Sequence, residues 1–180
     1  MKIENLYIER SAENYPMTRK VRSRLDIPAR VIDDAGELFE RINASPDPVG
    51  EGKKNLLLTR NKGAFLKSCP GTRNYICCGY QILNLAANCP LNCSYCILQS
   101  YFANQPSLRV FANLEENIDQ VLNIIDSQPD RIFRVGTGEF TDSLALDPMT
   151  RWSDMLLPRF SKQKNAILEL KTKTTHIRRL

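Results

Sequence analysis

The chain has 180 residues, 42% of them hydrophobic and 25% charged, enough for one globular domain with a real core, or one domain plus a small appendage. No apolar run is long enough to span a membrane, the start at Met1–Asn5 lacks the apolar core of a signal peptide, and six cysteines confined between Cys69 and Cys96 are too few and too bunched for a disulfide scaffold. The expected compartment is the reducing cytoplasm, where such clustering favours metal binding; a net charge of +5 permits binding to nucleic acid or another polyanion without requiring it.

Residues 1–60 are expected to form a small α/β N-terminal unit. Leu6, Tyr7 and Ile8 suggest a first strand, and a short basic helix from Thr18 to Leu25 is stopped by Pro28. Ala29–Ile32 reads as a second strand. Asp33 or Asp34 is placed to cap a helix carrying Leu38, Phe39 and Ile42 on one face. Ser45–Gly52, with its two prolines and two glycines, reads as a loop, and Asn55–Thr59 as a buried strand.

Residues 61–180 form the second expected unit. Asn61–Gly79 is cysteine-rich and irregular, and Tyr80–Leu85 is a strand leading straight to Cys89. Beyond Cys96, strands and helices alternate. Leu114, Ile118, Val121, Leu122 and Ile125 mark an amphipathic helix, and Asn113 with Glu116 resembles a capping box. Arg131–Val135 is a strand. Pro148 suits the first turn of a helix carrying Met149, Trp152 and Leu156, and Ala166–Leu170 is a third strand followed by Lys171-Thr172-Lys173. This βαβαβ order implies parallel strands covered by helices. A closed eight-unit barrel takes roughly 250 residues, so a chain ending soon after its third such strand is expected to be a fragment or a truncated protein.

Cys89, Cys93 and Cys96 stand at spacing C-x-x-x-C-x-x-C. A disulfide is disfavoured in a reducing compartment. A thioredoxin-like pair at Cys93 and Cys96 leaves Cys89 without a role. Zinc needs a fourth ligand, yet Cys77 and Cys78 are adjacent rather than spaced, and the one histidine, His176, is remote. A 4Fe–4S cluster is normally held by four thiolates, so three leave one iron open to a ligand; this reading fits best, with zinc as the alternative. Cys69, Cys77 and Cys78 either help hold an auxiliary metal or serve as small apolar residues.

The cysteine motif resembles that of the radical S-adenosylmethionine (SAM) superfamily, with Tyr95 at its aromatic position. Lys67-Ser68-Cys69-Pro70-Gly71-Thr72, Cys77-Cys78-Gly79-Tyr80 and Cys96-Ile97-Leu98-Gln99 together look like the spore photoproduct lyase family and its relatives. The resemblance implies an α/β fold, a partial radical SAM (β/α) barrel of which residues 61–180 supply the first three strands. It implies a 4Fe–4S cluster on Cys89, Cys93 and Cys96, with SAM chelated at the open iron and cleaved reductively to a 5′-deoxyadenosyl radical. The cofactor carries that chemistry and the protein orients it.

Further site residues follow from the same resemblance. Gly136-Thr137-Gly138-Glu139 is similar to the element that contacts the methionine amino group, glycine allowing close backbone approach and the carboxylate accepting from an ammonium; an ordinary glycine turn would look the same. Thr141 matches a hydroxyl position near SAM and Lys173 a partner of the SAM carboxylate, while Asp142 lies in the same strand-end loop. Tyr95, Gly136, Gly138, Glu139, Thr141 and Lys173 are thus the expected SAM contacts, and no catalytic residue is assigned. The implied partners are DNA and a reductant such as flavodoxin or ferredoxin. The DNA-repairing members place a hydrogen-donating cysteine where this chain has Glu139, and no cysteine follows Cys96. The expectation is therefore a lyase-like relative of unnamed substrate. The competing readings are a non-catalytic remnant and a nucleic-acid-binding module with a structural metal, the latter using Arg19, Lys20, Arg22, Arg24, Arg178 and Arg179, whose phosphate contacts would weaken with salt.

Overall fold

A computed structural model describes residues 2–76, 78–178 and 180. In chain order the elements are β1 (Asn5–Glu9), a 3-10 turn (Arg10–Ala12), α1 (Pro16–Arg24), β2 (Ala29–Ile32), α2 (Gly36–Asn43), α3 (Pro48–Lys54), β3 (Asn55–Thr59), β4 (Leu66–Ser68), β5 (Gln81–Leu83) and β6 (Ala86–Ala87). There follow α4 (Leu98–Tyr101), β7 (Leu108–Phe111), α5 (Leu114–Asp126), β8 (Phe133–Gly136), α6 (Asp147–Thr150), α7 (Trp152–Phe160) and β9 (Ala166–Glu169).

Two sheets result. The first has the order β2-β1-β3-β7-β6, parallel except for β6, and the second β4-β5-β8-β9, with β4 antiparallel to β5 and the other pairs parallel. The mixed α/β fold with parallel strands matches expectation, and β5, β8 and β9 are the three strands anticipated beyond residue 80. The first sheet reaches past residue 60, taking β7 and β6 from either side of the cysteine loop.

Burial explains the sequence patterns. β3 is buried along its whole length because both faces of the first sheet are covered, the situation that produces continuous apolar runs. Leu56 and Leu58 join Leu6, Ile8 and Val110 in the main core, whereas Leu57 and Tyr7 turn to Leu38 and Ile42 of α2. The main core continues through Ile118, Val121 and Ile125 of α5 and Trp152, Leu156 and Phe160 of α7 onto Leu83, Phe133 and Val135. The other face of the second sheet carries Arg134 and Ile167, both exposed.

Some local expectations fail for identifiable reasons. The loop expected at Ser45–Gly52 is largely helix: Asp47 accepts from the Gly50 amide at 2.9 Å and Pro48 starts α3, a cap and first-turn proline that suit a helix start. Asn113 makes no capping bond; its side chain instead exchanges hydrogen bonds with the Asn61 backbone at 2.9 and 3.0 Å. Asp34, by contrast, serves the start of α2 as expected, its carboxylate accepting from the amide of Gly36, the first helical residue, at 2.9 Å. The helix begun by Pro148 breaks at Arg151, whose φ is 55°.

Candidate functional site

β5, β8 and β9 run parallel and end on one edge of the second sheet. Ligands of open α/β sheets gather beyond such strand ends; Gly136 closes β8, Gly138, Glu139 and Thr141 follow it, Lys173 follows β9, and the cysteines and Tyr95 follow β5 by way of β6.

The cysteine loop comes first. Asn88 adopts φ 67°, a conformation asparagine tolerates better than most residues. Its amide group donates to the Pro106 carbonyl at 2.5 Å and its side-chain oxygen accepts from the Cys89 backbone N–H at 2.8 Å. From α3, Lys53 donates to the Leu91 carbonyl and to Asn92 Oδ1, both at 2.6 Å. A tight turn follows, in which the Cys96 amide donates to the Cys93 carbonyl at 3.0 Å, and the Gln99 side chain donates to the same carbonyl at 3.0 Å. Cys89, Cys93 and Cys96 are all free and half-buried. Burial pushes the Cys89 thiol up, and the main-chain amides of Leu91 and Asp142 facing it act in the opposite direction. The cysteine loop therefore touches the segment after β8.

That segment begins at Gly136, where a Cβ would run into the Tyr80 hydroxyl. Glycine here makes room for Tyr80, whose hydroxyl donates to Glu169 at 3.1 Å and whose ring lies against Lys171 and Arg134. A Cβ on Gly138 would stand 3.0 Å from Ser143 Oγ. Glu139 is half-buried, and burial pushes its carboxyl up against the pull of Lys67. The hydroxyls of Thr137 and Thr141 are buried and have no hydrogen-bond partner among the described residues, although buried polar groups are nearly always paired. The Phe140 ring stacks on Tyr101 of α4, with centroids 5.7 Å apart.

Asp142 ties this segment to the one after β9. One oxygen accepts from the Leu144 and Ala145 amides at 3.0 and 2.9 Å and from the Thr172 hydroxyl at 2.7 Å; the other accepts from the Lys173 amide at 2.7 Å. Both oxygens are thus engaged within the protein, which leaves the Lys173 side chain exposed at the rim. Tyr95, 76% exposed, completes the arrangement. Its phenol is pushed up chiefly by the Cys93 side chain against it, while the Lys173 charge acts the other way.

The structure therefore brings the cysteines, Tyr95, Gly136, Gly138, Glu139, Thr141 and Lys173 to adjoining loops. Among the described residues no three Cys, His, Asp or Glu side chains already converge closely enough to hold a metal ion. The donor set nevertheless suits an iron–sulfur cluster: three thiols free of disulfides on one short loop, which touches the segment holding two orphaned buried hydroxyls able to meet a polar ligand. Of the remaining cysteines, Cys69 is half-buried and Cys78 exposed; Cys77 lies outside the described residues, as does Arg179. The basic cluster on α1 is largely engaged at home, Arg19 donating to the Asn14 carbonyl, Lys20 pairing with Glu115 at 2.6 Å and Arg24 donating to the Met149 carbonyl.

Lys53, Asn88 and the bracing role of Asp142 escape a reading of the sequence. Asn88 offers a signal, since asparagine before a ligand loop suits a positive φ. Lys53 offers none, because lysine is rarely buried.

No curated protein matches the chain. Solved structures do. A spore photoproduct lyase point variant is 19% identical, with a TM-score of 0.76 over 98% of this chain and 52% of that one. A variant with bound AdoMet and dinucleoside spore photoproduct is 19% identical, with a TM-score of 0.73 over 93% and 49%. A spore photoproduct lyase complexed with the dinucleoside photoproduct is 18% identical, with a TM-score of 0.72 over 92% and 48%. The chain spans about half the length of these structures, and at such identities the likeness is one of fold. The family model for spore photoproduct lyase matches residues 1–180, and the chain belongs to the spore photoproduct lyase family.

Proposed function

We propose that this chain carries the cofactor-binding half of a radical SAM lyase-like enzyme, built as the first three strands of a partial barrel behind a small N-terminal α/β unit. Cys89, Cys93 and Cys96 would hold a 4Fe–4S cluster, and SAM would lie beyond the ends of β5, β8 and β9. When bound, the reduced cluster supplies the electron that cleaves SAM to a reactive radical. The chain's own part is to hold and shield. Lys173, presented by Asp142, supplies a cation for a carboxylate; Thr137 and Thr141 offer unused hydroxyls; Glu139, in its half-buried position, accepts from an ammonium. The observation that supports this reading is that a loop with three free thiols touches, through Cys89 and the Asp142 main chain, the segment that holds the orphaned Thr137 and Thr141 hydroxyls. Relatives hold a dinucleoside spore photoproduct, so photodamaged DNA is the substrate class carried over. Glu139 is no hydrogen-atom donor, and that role would fall to another group.

Anaerobic reconstitution with iron and sulfide, then dithionite and SAM, tests the reading. The expected result is a brown protein that releases 5′-deoxyadenosine, with Cys89→Ala abolishing release. Tight zinc binding without iron uptake would overturn it.

A further inference from the structure

Lys53 is 3% exposed, and among the described residues no carboxylate lies within ion-pair distance of it. Its ammonium is spent instead on two neutral acceptors inside the cysteine loop, Leu91 O and Asn92 Oδ1. Lysine is almost never fully buried unless paired, and burying an unneutralised charge is expensive. The fold goes to some length to place it there. α3 lies so close to the strand that follows the loop that a Cβ on Gly52 would strike the Pro106 carbonyl, the same carbonyl that Asn88 holds at the loop's entrance. Gly52 thus lets α3 approach, and the next residue reaches between Cys89 and Cys93.

Resting on the cluster reading above, the geometry points to Lys53 as a positioning residue with two effects on the site. It braces residues 89–93 from the N-terminal sheet, and it is a cation fixed to the backbone and side chain of the loop that carries the thiols. A cluster becomes more negative on reduction, so a buried cation one residue from a ligand stabilises the reduced form. Charge and hydrogen bonding around a cluster are among the factors that set its potential. The N-terminal unit thereby tunes how readily the cluster accepts its electron.

Two measurements test this, on the whole chain with Lys53→Met and Lys53→Arg. The first is hydrogen exchange in the metal-free protein: residues 89–93 should exchange about tenfold faster in Lys53→Met than in the parent, while the strands of the second sheet stay unchanged. Unchanged exchange in the loop overturns the brace. The second is the midpoint potential after reconstitution. Lys53→Met should shift the oxidised-to-reduced ratio about tenfold toward oxidised, which is ~59 mV lower for a one-electron couple, and Lys53→Arg should restore it. Equal potentials in the parent and Lys53→Met overturn the electrostatic role.

If Lys53→Met fails to fold, Asn92→Ala replaces it, because Asn92 is exposed and its loss removes one acceptor while keeping the charge. Loop exchange should then rise with the potential unchanged; a potential that falls with the charge still in place, or a loop that does not loosen, counts against the proposal. A parent chain that takes up no cluster defeats the functional reading, while the exchange measurement still decides the brace.

Discussion

At the scale of single residues, Asp142 and Gly136 show how much of the site is held by groups that need not touch a ligand. Asp142 satisfies three backbone amides and one hydroxyl. Removing an acceptor from buried donors costs about 1–3 kcal/mol for the groups left unpaired. Asp142→Ala should therefore lower the urea midpoint by the equivalent of about 2–3 kcal/mol, and weaken SAM binding through the lost placement of Lys173. A variant with normal stability and no SAM binding would instead make Asp142 a direct ligand. Gly136→Ala drives a methyl group into the Tyr80 hydroxyl, and overpacking of this kind costs about 1–3 kcal/mol. Adding Tyr80→Ala should recover part of that loss in thermal unfolding; no recovery would mean that the clash lies elsewhere.

Among elements, Glu169 is the joint of the second sheet. It pairs with Arg134 of β8 at 2.7 Å and with Lys171, just beyond β9, at 2.6 Å, and it accepts from Tyr80, just before β5. Lys171 first, then Arg134, hold its carboxyl down at about 2. A depressed carboxylate contributes stability that is complete above its unfolded value of about 4.3 and is lost as pH falls through the folded one. The parent should therefore lose more stability than Glu169→Gln between pH of about 4.3 and about 2, followed by chemical denaturation at stepped pH; parallel curves would sink the assignment. Elements with strong apolar runs or helical spacing, such as β3 and α5, are legible in the sequence. β7 is not, because Leu108–Phe111 is short and its partner β3 lies some fifty residues earlier. α3 hides behind prolines and glycines that usually signal loops, although Asp47 and Pro48 carry the start signal. Of the site, the cysteines are legible because ligand spacing is local. Lys53 is not, because its role exists only once α3 has packed against the loop.

For the molecule as a whole, the decisive feature is the way the two sheets share the chain. The path leaves the second sheet after β5, pairs β6 with β7 in the first, and returns through α5 to β8. The cysteine loop lies between β6 and β7, and their pairing at Ala86↔Val110 and Ala87↔Arg109 already brings its ends together. The entropy of closing a loop is incurred once, whatever closes it. Here strand pairing and the main core close residues 88–107, so a metal has only local ordering left to do. In small zinc domains, by contrast, the binding energy is the folding energy. Stripping metal with a chelator should leave the far-UV circular dichroism and the cooperative melt of this chain nearly intact, and collapse of either would mean that the cluster closes the fold. On the proposed cluster reading, assembly would then have a direction: the polypeptide folds first and presents an open three-thiol loop, so that a cluster would be delivered, lost to oxygen and replaced without the protein having to fold again.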